Sequence, residues 1–322
     1  MTIHMFPTTP GPVPKAHDSG HRFDAGRHWA AFISLGFQAR SEHIIDTARL
    51  EQPGADEELS KARPITRLTR ARHRGPLRVQ RPFYPEGKHG CCHVYLLHPP
   101  GGLVSGDALT IHAALEKNTH ALLTTPAAAK LYKADSHGVS WAQDAYLKVA
   151  DGATLEWLPQ ETLAFNGSKG EQTTSIHLTG NAKCLGWEIL ALGRPASDLP
   201  FATGLLEQKF ELTRDGKPLW QERQQLDPKH PRFHGKWGQG GNTVQATLWA
   251  AGLEDEAEAI EALRETLPAN HRWAVTRRRG VLLLRYLGHE RNEAWTLCQK
   301  AWETLRPRLT GKPASIPRIW LT

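Results

Sequence analysis

Ala145-Tyr-Leu-Lys-Val-Ala-Asp-Gly-Ala-Thr-Leu-Glu-Trp-Leu158 contains two short runs with apolar residues at alternate positions, separated by an Asp-Gly pair. Period-two alternation puts successive side chains on opposite faces of an extended strand, and Asp-Gly supplies the turn between two such strands. The same grammar extends both ways. Upstream lie His93–His98, Ala108–Leu115 and His120–Thr125; downstream lie Thr173–Leu178, Leu185–Leu192, Leu205–Leu212, Leu219–Gln224 and Thr243–Trp249, with a tight loop at Gly238–Asn242. Pro-Gly-Gly, Asn-Gly and Thr-Gly pairs punctuate these runs, as expected where short strands follow one another. Nearer the start, Trp29, Ala31, Ile33, Leu35 and Phe37 alternate in what reads as a half-buried strand. The expectation is a mainly β chain of packed, largely antiparallel sheets forming one large domain.

Two helices are expected in the C-terminal third. In Glu254–Leu267 the residues Ile260, Leu263 and Leu267 recur at helical spacing, acidic residues are weighted toward the start, and Pro268 follows the end. In Asn292–Leu305 the stripe Ala294, Leu297, Cys298, Ala301 and Leu305 makes Cys298 a core residue, and Pro307 reads as the stop. Between them Trp273–Leu287 reads as a β-hairpin about an Arg279-Gly280 turn. Residues 1–26, with four prolines, read as a flexible leader, and 50–62, with Pro53, Gly54 and the acidic run Asp56, Glu57 and Glu58, as a surface loop. The domain is expected to occupy 27–322.

The 322 residues are 39% hydrophobic and 23% charged, a composition that excludes collagen-like and wholly disordered chains. Forty Lys and Arg stand against 33 Asp and Glu, and eight of the positive charges fall between Lys61 and Arg81 with no acidic residue among them. Such a patch favours an acidic partner. It also opens a nucleic-acid reading, against which stand the missing aromatics between Arg63 and Arg81 and the lack of a nucleic-acid motif; a charged strand edge explains the patch equally well. Cys91, Cys92, Cys184 and Cys298 lack zinc-finger spacing and read as reduced thiols, so the cytoplasm is the expected compartment. No apolar run has membrane-spanning length.

Several segments invite a chemical reading. Pro99-Pro-Gly-Gly-Leu-Val-Ser-Gly-Asp107 offers glycines and a serine, but a strand rather than a helix follows it, and Ser105 lacks the flanking glycines of a nucleophile elbow; a structural turn with Asp107 at a strand entrance is the stronger reading. Alternation sets Glu156 opposite Leu155 and Trp157, where a solvated carboxylate is the default. Glu188 shares a face with Leu190 and Leu192 and is expected to be buried and partnered. A hydrolase or lyase using Glu161 and Glu188 as an acid–base pair, with Asp107 orienting substrate, would require these carboxylates to line one deep pocket. The borderline ligands Cys91 and His93 are the only pair near metal-site spacing.

Taken in order, Gly75-Pro-Leu-Arg-Val-Gln-Arg-Pro-Phe-Tyr-Pro85, Cys92-His-Val-Tyr-Leu-Leu-His-Pro-Pro-Gly-Gly-Leu-Val104, Thr124-Thr-Pro-Ala-Ala-Ala-Lys-Leu-Tyr132, Leu155-Glu-Trp-Leu-Pro-Gln-Glu161 and Trp187-Glu-Ile-Leu-Ala-Leu-Gly-Arg-Pro195 resemble the UreD (UreH) urease accessory family. The resemblance runs from about Trp29 to Pro317-Arg-Ile-Trp-Leu321. It implies a non-enzymatic scaffold, mainly β with two helices, that joins apo-urease to UreF and the GTPase UreG, so that GTP hydrolysis belongs to the partner. It further implies that nickel passes through transiently on its way into apo-urease, with no permanently bound cofactor. Transit demands loose oxygen coordination rather than a tight cage, which makes Asp107, Glu156, Glu161 and Glu188 the transit candidates. Arg306, Arg308, Arg318 and Trp320, expected to be exposed beyond a helix stop, are the candidate partner contacts, while Arg78 and Arg81 are expected to brace the fold.

Overall fold

The structure is a computed structural model that describes residues 29–40 and 64–321. The leader 1–26 and the 50–62 loop lie outside the described residues. The chain opens with β1 (Trp29–Arg40), β2 (Ile65–Arg74), β3 (Arg78–Val79), β4 (Cys92–Leu97), β5 (Gly102–Leu103) and β6 (Asp107–Leu115). It continues through β7 (His120–Thr124), β8 (Ala129–Leu131), β9 (Trp141–Val149), β10 (Thr154–Leu158), β11 (Thr162–Ala164), β12 (Lys169–Leu178) and β13 (Lys183–Leu192). Then come β14 (Leu205–Arg214), β15 (Lys217–Leu226), the short α1 (Pro231–His234), β16 (Val244–Ala251), α2 (Glu256–Thr266), β17 (Trp273–Arg278), β18 (Val281–Gly288) and α3 (Arg291–Thr310).

Two sheets result. The first runs β15-β14-β12-β9-β6-β1-β2 and the second β17-β18-β16-β13-β10-β7-β4-β3, with β5, β8 and β11 beside it. Their centres are parallel: β6, β9, β12 and β14 run together in one sheet, and β4, β7, β10 and β13 in the other. Antiparallel pairing is confined to the flanks, as in β1–β2, β14–β15, β13–β16 and β16–β18. The expected largely antiparallel arrangement is therefore corrected to a mixed one. The Asp151-Gly152 turn shows why. It carries the chain from β9 in the first sheet to β10 in the second, so the strands it joins face each other across the core instead of pairing, and the next coil lays a parallel strand beside each.

Successive turns stack on one another. Asn118 and Gly180 adopt positive φ of 58° and 55°, Gly152 one of 71°, and Asp151 Oδ1 accepts the Asn181 N–H at 2.8 Å. Two apolar layers follow. Leu147, Leu155, Trp157, Ile176, Leu190 and Leu192 fill the space between the sheets. Leu158, Leu185, Trp187, Leu248 and Leu284 cover the other face of the second sheet, beneath Leu263 of α2 and Leu297, Trp302 and Leu305 of α3. Each fully buried side chain of this size contributes roughly 1.5–3 kcal/mol.

Both helices and the hairpin stand near their expected bounds. Asp255 caps α2 by accepting the N–H groups of Ala257 and Glu258 at 2.9 Å, and Arg279 and Gly280 form the β17–β18 turn with φ of 53° and 79°. Pro307 does not end α3, which runs on to Thr310 and closes at Gly311 with φ of 70°. The extra turn is held from outside: Leu309 is buried, and Lys183 Nζ donates to the Leu309 carbonyl at 2.8 Å. Among the described residues no helix is long and apolar enough to cross a membrane.

Candidate functional site

Strand β13 has two buried faces. Leu185, Trp187 and Ile189 meet the helices, while Glu188 turns toward the first sheet with Leu190 and Leu192. Glu188 is half-buried because it faces cavity space rather than packed atoms: it lines one cavity of about 110 Å³ and a second of about 40 Å³. Gln143 and Gln172 also line the first cavity, Gln208, Gln224 and Gln245 the second. The glutamines form a chain. Gln208 Nε2 donates to Gln172 Oε1 at 3.0 Å, Gln245 Nε2 to Gln208 Oε1 at 2.8 Å and to Gln224 Oε1 at 2.7 Å, and Gln239 Nε2 to Gln245 Oε1 at 2.5 Å.

No basic side chain pairs with Glu188 among the described residues; its partner is the Thr174 hydroxyl, which donates at 2.5 Å. Burial pushes its carboxyl up to about 7, helped by the Glu222 charge and opposed by the Thr174 hydrogen bond. The result is a polar seam between the sheets, lined by amide oxygens, hydroxyls, the Glu188 and Glu222 carboxylates, Lys209 and, in the first cavity, His98, with Glu188 poised between its charged and neutral forms. Such donors hold a divalent cation weakly and release it readily.

On the opposite face of the same sheet sits a second polar cluster. Glu156 is fully buried. Its oxygens accept from His120 Nε2 at 2.7 Å, Trp302 Nε1 at 2.5 Å and Arg306 Nε at 2.9 and 3.1 Å. Burial raises its carboxyl, but His120, Arg306 and Trp302 outweigh that and hold it down at about 2. Arg306, also fully buried, reaches Glu86 Oε1 through Nη2 at 2.5 Å and donates through Nη1 to the Pro313 carbonyl.

The model of the family described as UreD urease accessory protein matches residues 54–321. This chain belongs to the UreD family. A urease accessory protein UreD of Marinobacter nauticus is 68% identical over 95% of this chain and 97% of its own length. UreD 1 of Psychrobacter cryohalolentis is 64% identical over the whole of both chains, and UreD 2 of Brucella anthropi is 45% identical over 81% of this chain and 94% of its own.

Within this UreD fold the four expected transit carboxylates do not converge. Glu188 alone lines the cavities. Glu156, expected at a solvated surface, is corrected to a buried and neutralised group, because α3 covers the face that alternation left open. Asp107 is buried at the entrance of β6 and accepts the Val104 N–H at 2.9 Å, the structural-turn reading; burial raises its carboxyl. Glu161 is buried with Oε1 3.4 Å from Arg291 Nη1. Neither Asp107 nor Glu161 lines a cavity with Glu188, so the acid–base pair required for a hydrolase or lyase is not assembled.

The expected partner contacts divide. Arg306 is corrected from exposed to buried. Trp320 is half-buried, with its Nε1 on Thr124 Oγ1 at 2.9 Å and its ring centroid 5.7 Å from that of Trp187. Arg308 is exposed and pairs with Glu258 at 2.8 Å, and Arg318 is exposed. Arg78 braces the 75–78 turn through the carbonyls of Leu77, at 2.8 Å, and Gly75. The basic strand β2 lies at the edge of the first sheet, the position at which Lys and Arg blunt an open edge; Lys61 and Arg63 lie outside the described residues.

Sequence reasoning missed the glutamines. Their signal was present: Gln208 falls in phase with Leu206, Phe210 and Leu212, and Gln245 with Trp249 and Ala251. A polar residue in phase with the buried set of a strand marks a polar interior.

Proposed function

We propose that this chain is a non-catalytic urease maturation factor that bridges apo-urease to UreF and the GTPase UreG in the cytoplasm and lets nickel pass along the Glu188 seam. GTP hydrolysis is assigned to UreG. Nickel is cargo in this reading, and no resident cofactor takes part in the transit. The observation that carries the reading is the unpaired Glu188 carboxylate common to two internal cavities and flanked by a continuous run of glutamine amides. Family membership supports the urease role, and the seam supports the transit role through its donor chemistry: a carboxylate admits the cation, and the amide and hydroxyl oxygens beside it, with no thiolate among the lining residues, allow it to leave.

The test is made in urease-producing cells. Removing the chain leaves urease present but poor in nickel and inactive. Glu188→Ala lowers the nickel recovered with urease while UreF and apo-urease still co-purify with the variant. Full nickel occupancy without the chain would end the maturation reading; full occupancy with Glu188→Ala would end the transit assignment alone.

A further inference from the structure

The Cys91-Cys92-His93 segment takes no part in the Glu188 seam. Cys91 and His93 are fully buried. His93 has no hydrogen-bond partner on either ring nitrogen among the described residues, and Glu86 Oε2 is likewise unsatisfied. A buried imidazole that makes no hydrogen bond carries a desolvation cost, which the nearby Glu86 carboxylate relieves only in part. Its Nε2 lies 3.5 Å from Glu86 Oε1, and one ligand atom each of Glu86, Cys91 and His93 lies within 4.8 Å of the other two.

The local backbone builds this convergence. Phe83 and His93 exchange backbone hydrogen bonds at 2.9 Å, which closes the 83–93 loop. Within it Glu86 folds inward across Gly90, where a Cβ would stand 2.5 Å from Glu86 Cβ. Arg306 holds Glu86 by Oε1 and leaves Oε2 free, the arrangement in which an outer partner orients a ligating carboxylate.

We propose that Glu86, Cys91 and His93 form a binding site for one divalent transition-metal ion of borderline softness, distinct from the Glu188 seam. The donor set of thiolate, imidazole and carboxylate selects such an ion over calcium or magnesium. The site stands independently of the transit reading, and it departs from the expectation that only loose oxygen donors handle metal in this chain.

The test equilibrates the purified full-length chain with nickel(II) or, separately, zinc(II), and removes excess metal by desalting. The wild type is expected to retain about one ion per chain, with a near-ultraviolet thiolate-to-nickel charge-transfer band and one sulfur in the nickel coordination shell by X-ray absorption. Cys91→Ser abolishes the band, Cys92→Ser keeps it, and Glu86→Gln and His93→Asn weaken binding roughly ten-fold or more. Glu188→Ala leaves the band intact, so failure of the transit reading does not touch this one. If Cys91→Ser does not fold, the sulfur shell of the wild type decides. A wild-type spectrum without sulfur ligation, or a band that survives in folded Cys91→Ser, overturns the proposal.

Discussion

Replacing Arg306 by Met should cost far more than losing one helix-surface arginine. The guanidinium is fully buried and holds two carboxylates, Glu156 and Glu86. Removing it strands a buried charge on Glu156, and breaking a buried pair from one side costs roughly 3–5 kcal/mol. A second estimate, for His120, Arg306 and Trp302 acting on Glu156 together, comes from the carboxylate. Its pKa falls from 4.5 to about 2, and at ~1.4 kcal/mol per pH unit this contributes about 3 kcal/mol to stability at neutral pH. The pKa is depressed in the folded state, so the contribution is present above 4.5 and lost as pH falls toward 2. Urea denaturation at pH 7 should place both Arg306→Met and Glu156→Gln about 3 kcal/mol or more below wild type, and the Glu156→Gln deficit should shrink below pH 4.5. The double variant should lose less than the sum, because each single change leaves the other partner uncompensated. An Arg306→Met midpoint within about 1 kcal/mol of wild type, or strict additivity in the double variant, would refute the assignment of a coupled buried pair.

Three further outcomes are expected. The Glu188 carboxyl is raised to about 7 in the folded chain, so the wild type binds a proton that the unfolded chain releases, and its stability declines as pH rises from 4.5 through 7; Glu188→Gln should abolish this decline, raising the melting temperature relative to wild type at pH 8 but not at pH 4. Gly170→Ala would set a Cβ 2.2 Å from the Trp141 ring, and thermal melting should show a loss of roughly 1–3 kcal/mol from overpacking. Asp255→Ala removes two hydrogen bonds from the start of α2 and should cost about 1 kcal/mol by urea denaturation; no change would mean that water replaces the cap.

How far the fold was legible depended on whether a signal was local. Strand alternation, helical stripes and the Arg279-Gly280 hairpin are local patterns, and they placed most elements and separated the two faces of β13 correctly. Strand pairing is not local. An Asp-Gly turn has the same composition whether it closes a hairpin or arches between sheets, so the parallel centre of each sheet could not be read from Asp151-Gly152. The fate of Glu156 was hidden for a related reason: alternation says which side chains share a face, not what later covers it, and the cover arrives with α3, about 150 positions along the chain. Arg306 was legible in part. It falls in phase with Trp302, Leu305 and Leu309 on the buried stripe of α3, and a charged residue on such a stripe calls for a buried counter-charge.

Glu156 and Glu188 show why burial alone does not identify a cation path. Both lie on the second sheet, on strands that pair in register, yet they face opposite layers and meet opposite chemistry. Glu156 has its charge cancelled by Arg306 and its oxygens engaged by three donors, so a passing cation would have to displace an ion pair worth several kcal/mol. Glu188 has one hydroxyl donor and adjoining cavity space, so a cation that replaces its proton relieves the cost of burying the carboxylate instead of adding to it. The same residue type on one sheet is thereby locked on one face and available on the other. Exchanging the two environments is a direct check of the proposed transit: placing Lys at Thr174 should pair Glu188, lower its pKa and, if nickel passes there, stop its transfer while leaving the Glu156 cluster and its acid dependence unchanged. Undiminished transfer in Thr174→Lys, with the pairing confirmed by titration, would show that the ion takes another route.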